Sequence, residues 1–465
     1  MTRPHARKNT EPAANAVDRP PGPDGLPVIG STVSFVRDPL DFVRSIGEYG
    51  DVASYEAFGR EFVAVSNPEL VEAVLVSRDD EFWKGEFESE FGDIVAPDGV
   101  FYAEGSDWQR QRRLLQSLFT PKRIESYAAD MVDETVRLVE GWADGTVVNV
   151  RDALSMLTLG VLTRSLLDLD LDDERADVVV RMVHALGEYV DAEMLGVRAA
   201  LPSWLPSKPE RKFDRAMADL DALVESLVHD HRESKTESDD LLSLLAMAEY
   251  PDGTKLSPSA VSDQLVQFLV AGHETSATAL TYSCWLIANN PATQRRLACE
   301  VDTVCGDHDP TIDDLGSLTL SEAVINESMR LYPPFPFIHR QPHEPTTLGG
   351  YRISPESTLQ LPLSSVHLDE RWWHDAESFR PDRWLPEAEQ NGDWNRDRPE
   401  YAYFPFGGGP RHCIGMRFAM TELQLVLATM VRRMEFEPVT ESIDPTWKVS
   451  LDPGPVKLRV HVRDR

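Results

Sequence analysis

The stretch whose reading decides the fold is FPFGGGPRHCIGMRFAM, Phe404 to Met420. Three consecutive glycines, Gly407 to Gly409, and Pro410 run into a single cysteine, Cys413, and then into an apolar segment. A lone cysteine in a long chain usually serves as a small buried hydrophobe. The residues in front of this one reach positive φ at little steric cost and let backbone lie against a flat partner. Arg411 places a fixed cation two residues before the sulfur, and IGMRFAMTELQLVLATMV reads as a helix starting just after it. A helix start and its amide N–H groups favour a thiolate over a thiol. The stretch therefore predicts a cysteine used as an anionic ligand.

Outward from it, the chain has 465 residues, 42% hydrophobic and 27% charged, enough for a large core. It carries 78 acidic and 46 basic residues, a formal charge of −32. That field repels a phosphate backbone and argues against nucleic acid as a partner. It fits a surface kept hydrated in concentrated salt, a halophilic adaptation. The four cysteines, Cys284, Cys299, Cys305 and Cys413, form neither a disulfide framework nor a zinc pattern, which points to a reducing cytoplasm. Residues 1–18 read as a disordered polar tail and 19–465 as one folded domain. No apolar span is long enough for a transmembrane anchor.

A proline–glycine segment, RPPGPDGLPVIGS (19–31), opens the folded part, and DVASYEAFGREFVAVSNP (51–68) reads as a β-hairpin turning at AFGRE. Helical periodicity covers 66–80, 106–119, 123–142, 151–168, 175–195, 210–234 and 238–248. The longest helix follows Ser257 as cap and Pro258 as first helical residue and stops at Asn290–Pro291. Apolar on most faces, it must pass through the core. In TLSEAVINESMRLYPP, Thr319 and Glu322 are spaced as a capping box. TTLGGYRIS alternates as short strands. The fold class is mainly α with a small β component.

Phe406, Gly409, Arg411, Cys413 and Gly415 match every fixed position of the pattern FxxGxRxCxG, and on these residues the chain resembles the cytochrome P450 superfamily. Other family motifs follow in order. ESMR supplies Glu327 and Arg330 at ExxR spacing, which share a helix face, and FRPDRW supplies Arg383 in a segment resembling FxPxRF. The resemblance gives these three a structural role in a buried network. AGHETS (271–276) resembles the oxygen-activation motif, with Gly272 expected to open the helix locally and Thr275 to take a backbone carbonyl. GSDWQRQRR resembles the WxxxR helix, so Trp108 and Arg112, with Arg340 and Arg411, would contact haem propionates. His273 and His412 have no assigned role.

The resemblance implies a single cytochrome P450 fold, with haem b between the long central helix and the cysteine-bearing loop. Cys413 would be the axial iron ligand, a thiolate that favours O–O cleavage. Glu274 and Thr275 would be the distal proton-delivery pair. The implied activity is insertion of one atom of O2 into an apolar substrate such as a fatty acid, terpenoid or carotenoid. No flavin, nicotinamide or iron–sulfur pattern accompanies the motifs, so a ferredoxin or other reductase would donate electrons. QRQRRLLQSLFTPKR, with Arg417, forms a basic island that suits either propionates or that partner. By resemblance the substrate pocket draws on residues near 85–103, 185–208, 268–279, 333–338 and 449–453. A peroxide-using or non-oxidative relative, or a haem sensor, is the alternative. Such proteins need not keep Glu274 and Thr275.

Overall fold

The structure, a computed structural model, describes residues 19–167, 175–194, 207–234, 242, 245, 253–386 and 398–463. The tail at 1–18, most of the helix expected at 238–248 and part of the pocket expected at 185–208 lie outside the described residues. The chain divides into two compact units, one built from residues up to 89 with 337–372 and 397–412, the other from 90–336, 373–396 and 413–465.

The first unit contains the sheet. Strands β1 (Val52–Ala57) and β2 (Arg60–Val65) form the expected antiparallel hairpin, turning at Phe58–Gly59, both at positive φ. That pair of left-handed residues is the turn whose twist suits a two-residue hairpin. With β3 (Phe82–Trp83), β4 (Phe337–Pro342) and β7 (Thr358–Pro362) they make a sheet of order β1-β2-β7-β4-β3, in which only β2–β7 is parallel. Between β4 and β7, β5 (Thr346–Leu348) and β6 (Tyr351–Ile353) turn at Gly349–Gly350. Val63, Val65, Leu75, Leu359 and Phe404 belong to the core beneath the sheet.

The second unit is helical. Its long helices are α1 (Gly105–Gln116), α2 (Pro121–Glu140), α3 (Val150–Leu167), α4 (Ala176–Met194), α5 (Lys208–Ser234), α6 (Pro258–Ala288), α7 (Pro291–Cys305), α8 (Thr319–Leu331) and α9 (Met416–Arg433). A three-stranded sheet, Val147–Asn149, Lys457–Val462 and Met434–Pro438, and the small hairpin Thr446–Trp447 with Leu451–Asp452 complete it. The long helix α6 begins as expected, with the Ser257 hydroxyl accepting the Ala260 N–H and Pro258 as first residue. At about 1.5 Å per residue its 31 residues span some 46 Å, and 21 of them are buried. It is the axis against which α3, α8 and α9 pack.

The capping box expected at Thr319–Glu322 does not form. The cap comes instead from Glu300 on α7, whose carboxylate accepts the N–H of Leu320 at 2.6 Å and of Ser321 at 3.0 Å, with the Thr319 hydroxyl at 3.3 Å. An ionised carboxylate at a helix N-terminus satisfies two orphan amides and meets the positive end of the dipole, which a neutral hydroxyl does less well.

Candidate functional site

In the second unit Cys413 lies just before α9, whose N-cap is Gly415. The residue is open to solvent, yet neighbouring protein atoms crowd its sulfur. That desolvation pushes the thiol above its ordinary value, against the opposing pull of the Gly415 N–H and the Arg112 guanidinium. The helix-start amide expected to favour a thiolate is present, and the cation acting on the sulfur is Arg112 rather than the expected Arg411, but together they do not overcome desolvation, contrary to the sequence reading. A metal ion coordinated by the sulfur would supply the remaining charge, since a coordinating thiol is deprotonated outright. Arg112 and Trp108, one turn apart on α1, are both half-buried.

In the first unit Gly409 has φ 62°, and a Cβ there would sit 1.8 Å from the Leu75 carbonyl oxygen. At Gly408 a Cβ would fall 2.5 Å from the Tyr401 ring. Protein packing by itself thus requires these glycines. Phe406 is half-buried in the same loop, and the N–H of nearby Phe404 donates to His367 Nε2 at 3.1 Å. Arg340 is 7% exposed on β4, its Nη1 donating to the His339 carbonyl at 2.8 Å. Arg340 and Arg411 both act on one carboxyl, Asp79, partly offsetting its upward shift from burial and from Asp80. The structure brings these two guanidinium groups into one neighbourhood. His412 is engaged locally, its Nδ1 2.8 Å from the Gly409 carbonyl.

Glu327, Arg330 and Arg383 come together within the second unit as expected. Arg330 binds the Glu327 carboxylate in bidentate fashion, Nε to Oε2 at 2.9 Å and Nη2 to Oε1 at 2.8 Å, with neither side chain exposed. Arg383 Nε reaches Glu327 Oε1 at 3.2 Å, and Arg330 Nη1 donates to the Ala376 carbonyl at 2.7 Å. Sequence reasoning missed the rest: the Arg380 N–H and Trp384 Nε1 each donate to Glu327 at 2.9 Å, and Trp373 lies under the Arg330 guanidinium at 4.8 Å. The tryptophan closing FRPDRW, where the family pattern has phenylalanine, was the available signal: only the indole carries a donor.

Along α6, Thr275 Oγ1 donates to the Ala271 carbonyl at 2.5 Å, as expected. The local opening expected at Gly272 is absent: the helix is α-helical throughout, and a Cβ at 272 would meet Leu162 of α3 at 3.0 Å. The glycine lets two helices approach. Glu274 faces elsewhere, with Oε1 2.5 Å from Arg151 Nη2. Burial raises its carboxyl, and the Arg151 charge draws it back. His273 hydrogen-bonds Ser155 at 2.8 Å, and its pKa falls to about 4 through burial and the charges of Arg151 and His184. On the next turn Ser276 donates to Glu422 of α9, a carboxyl that burial lifts to about 8. Neither Arg151 nor Glu422 was found from sequence, because an isolated charge in a helical pattern reads as a solvated face.

The family model described as Cytochrome P450 matches residues 20–460. Cyclooctatin synthase of Streptomyces melanosporofaciens is 32% identical over 457 residues, 97% of each chain. Pentalenene oxygenase of Streptomyces avermitilis is 31% identical, covering 95% of this chain and 97% of its own. Cyclooctat-9-en-7-ol 5-monooxygenase of Streptomyces melanosporofaciens is 30% identical over 90% of this chain and 89% of its own.

Proposed function

The chain belongs to the cytochrome P450 family, and from that premise we propose that Cys413 is its axial iron ligand and that its substrate is a polycyclic terpenoid. Membership makes it a haem-thiolate monooxygenase that uses haem b and O2, oxidises an apolar substrate and draws electrons from a redox partner. The observation that carries the assignment of Cys413 is its donor set: one cysteine beside Arg112, with the Gly415 N–H on its sulfur. Trp108 and Arg112, one turn apart on α1, are donors suited to a haem propionate, and so are Arg340 and Arg411, which share the neighbourhood of Asp79. Phe406, Gly409 and Gly415 shape the loop around the ligand. The single family match over 20–460 supports one haem domain over 19–465.

Haem b, held through this thiolate, supplies oxygen activation and insertion of one oxygen atom. The remaining chemistry belongs to the chain's own residues. Arg112 and the Gly415 N–H lower the energy of the negative sulfur. Thr275, anchored on Ala271, presents its hydroxyl as acceptor while its proton is committed to the carbonyl. Glu274 takes protons from solvent and passes them on once its carboxylate leaves Arg151. Glu327 with Arg330 and Arg383 ties α8 to the segment that follows Trp373.

The terpenoid assignment rests on pentalenene and cyclooctat-9-en-7-ol, the compounds in two relatives' names, and on apolar residues such as Leu269 and Phe268 on α6. A spin-state titration of the holoenzyme with cyclic terpenes, carotenoids and fatty acids tests it. A shift saturating with terpenes alone supports it, and one given only by fatty acids removes it. A ferredoxin suits the basic face of α1 as electron donor. Cytoplasmic residence and adaptation to concentrated salt complete the proposal, supported by four unpaired cysteines and the charge of −32. If molar KCl failed to raise the unfolding midpoint, the salt reading would be lost. No helix among the described residues is long and apolar enough to cross a membrane.

A further inference from the structure

Glu274 stands at the end of a row of alternating charges, all within the second unit. Lys448 Nζ lies 2.9 Å from Asp452 Oδ2, Asp452 Oδ1 lies 3.2 Å from Arg151 Nε, and Arg151 Nη2 lies 2.5 Å from Glu274 Oε1. Two cations and two carboxylates balance one another. Asp452 and Lys448 ride on the hairpin Thr446–Trp447/Leu451–Asp452, Arg151 on the first turn of α3, and Glu274 on α6. Ser450, at the hairpin tip, also reaches Glu274 Oε1 at 3.4 Å and hydrogen-bonds Thr278 at 2.9 Å.

We propose that Arg151 is a positioning residue for the reaction: shared between Glu274 and Asp452, it decides whether the catalytic acid is held or released, and the hairpin sets the division. This rests on the reading of Glu274 as proton donor. Three observations carry it. First, the row is asymmetric: Asp452 has cations on both sides, whereas among the described residues Arg151 is the single permanent cation within ion-pair distance of Glu274. His273 Nε2, at 3.9 Å, is neutral above about pH 4 and holds nothing ionically. Glu274 can therefore leave Arg151, taking up a proton as it does so, without stranding the Arg151 charge, which keeps Asp452.

Second, the arginine is needed in its planar form. Its Nε and Nη2 serve two carboxylates at once, whereas the point charge of a lysine on a flexible arm does not fix both. Third, the hairpin has only two residues per strand, so its own ladder is marginal. Its place depends on side-chain and loop ties: Asp452 to Arg151, the Leu451 N–H to the Pro334 carbonyl at 2.9 Å, and Tyr282 to the Leu451 carbonyl at 3.1 Å. Any displacement of this hairpin changes the Asp452–Arg151 separation, and with it the hold on Glu274.

The groups that titrate or carry charge around Glu274 are Arg151 and Asp152 on α3, His184 on α4, His273 beside it, and Lys448 and Asp452 on the hairpin. Arg151 favours the ionised acid and Asp452 disfavours it, so removing either must move the titration in opposite directions.

The test uses substrate-free holoenzyme. The carboxylic C=O infrared band that disappears in Glu274→Gln is followed against pH in wild type, Arg151→Ala, Arg151→Lys and Asp452→Asn. Its midpoint should rise by roughly 1 to 3 pH units in Arg151→Ala, rise less in Arg151→Lys, and fall in Asp452→Asn. Oxygen reduction driven by a bacterial ferredoxin and its reductase should slow several-fold in Asp452→Asn, where Arg151 holds Glu274 alone, with a larger solvent isotope effect. A purely structural role moves both midpoints the same way or neither, and either result overturns the inference. If Glu274→Gln itself leaves oxygen reduction unchanged, the assignment of Glu274 falls and takes the inference with it. If Glu274→Gln slows it but the midpoints are not opposed, the inference alone falls.

Discussion

Replacing Glu327 by glutamine keeps the shape of the side chain and removes its charge. In the folded protein its two oxygens accept five N–H groups: Arg330 Nη2, Arg383 Nε and the Arg380 amide on Oε1, Arg330 Nε and Trp384 Nε1 on Oε2. A glutamine carbonyl placed at Oε1 can retain three of these. Its NH2 then points at Arg330 Nε and Trp384 Nε1, donors facing a donor, while two buried guanidinium groups lose their counterion. Removing one partner from a buried ion pair costs about 3–5 kcal/mol. At about 1.4 kcal/mol per tenfold, that reduces the folded-to-unfolded ratio by roughly two to three and a half orders of magnitude. The assay is urea unfolding of the holoprotein, followed in parallel by far-ultraviolet circular dichroism and the Soret band. The variant should lose about 3 kcal/mol or more, with haem released at the same midpoint as the helices. A loss below about 1 kcal/mol, typical of a solvated ion pair, would refute the argument that this network is buried and indispensable.

Thr275→Ala should uncouple reduction from product formation, raising peroxide released per electron pair while the haem spectrum stays the same; unchanged product yield would remove Thr275 from proton delivery. Exposed Arg113 and Arg417 should form part of the partner's footing, so Arg113→Glu with Arg417→Glu should slow reduction by a ferredoxin several-fold and steepen no spectral change, whereas an unaltered rate places the partner elsewhere. Glu422 titrates near pH 8 when folded and near 4.5 when unfolded, so the native state binds the extra proton between those values. Stability then falls as pH rises through that window, by up to about 1.4 kcal/mol per pH unit, and is level above it. Glu422→Gln should therefore match wild type near pH 4.5 and exceed it at pH 8 in thermal unfolding. A variant less stable than wild type at pH 8 would show that the carboxylate is needed in its charged form.

Much of the fold was legible because its signals are local. Ser257–Pro258 started α6, the Phe58–Gly59 turn set the first hairpin, and helical period placed α1 to α5 within a few residues. The cysteine loop and the ExxR helix were legible because each is a dense pattern over a short span. What escaped is non-local. Glu300 caps α8 across 20 residues, and Trp384 completes the Glu327 network across 57. Arg151 meets Glu274 across 123 residues and Asp452 across 301. Apart from Trp384, which closes FRPDRW, none of these partners carries a periodic or spaced signature, so a buried ion pair and a solvated charge look alike until the chain is folded. Gly272 failed differently: a helical glycine reads equally as a flexible point or a close approach, and Leu162 of α3 makes it the second.

The assignment of Cys413 as the axial ligand is tested most directly by the absorption spectrum of the reduced, carbon-monoxide-bound protein. Wild type should show the red-shifted Soret band of thiolate-ligated haem, and Cys413→Ala should lose it, while loss of Cys299, Cys305 or Cys284 should leave it in place. A wild-type protein without that band, or a Cys413→Ala variant that keeps it, contradicts the account.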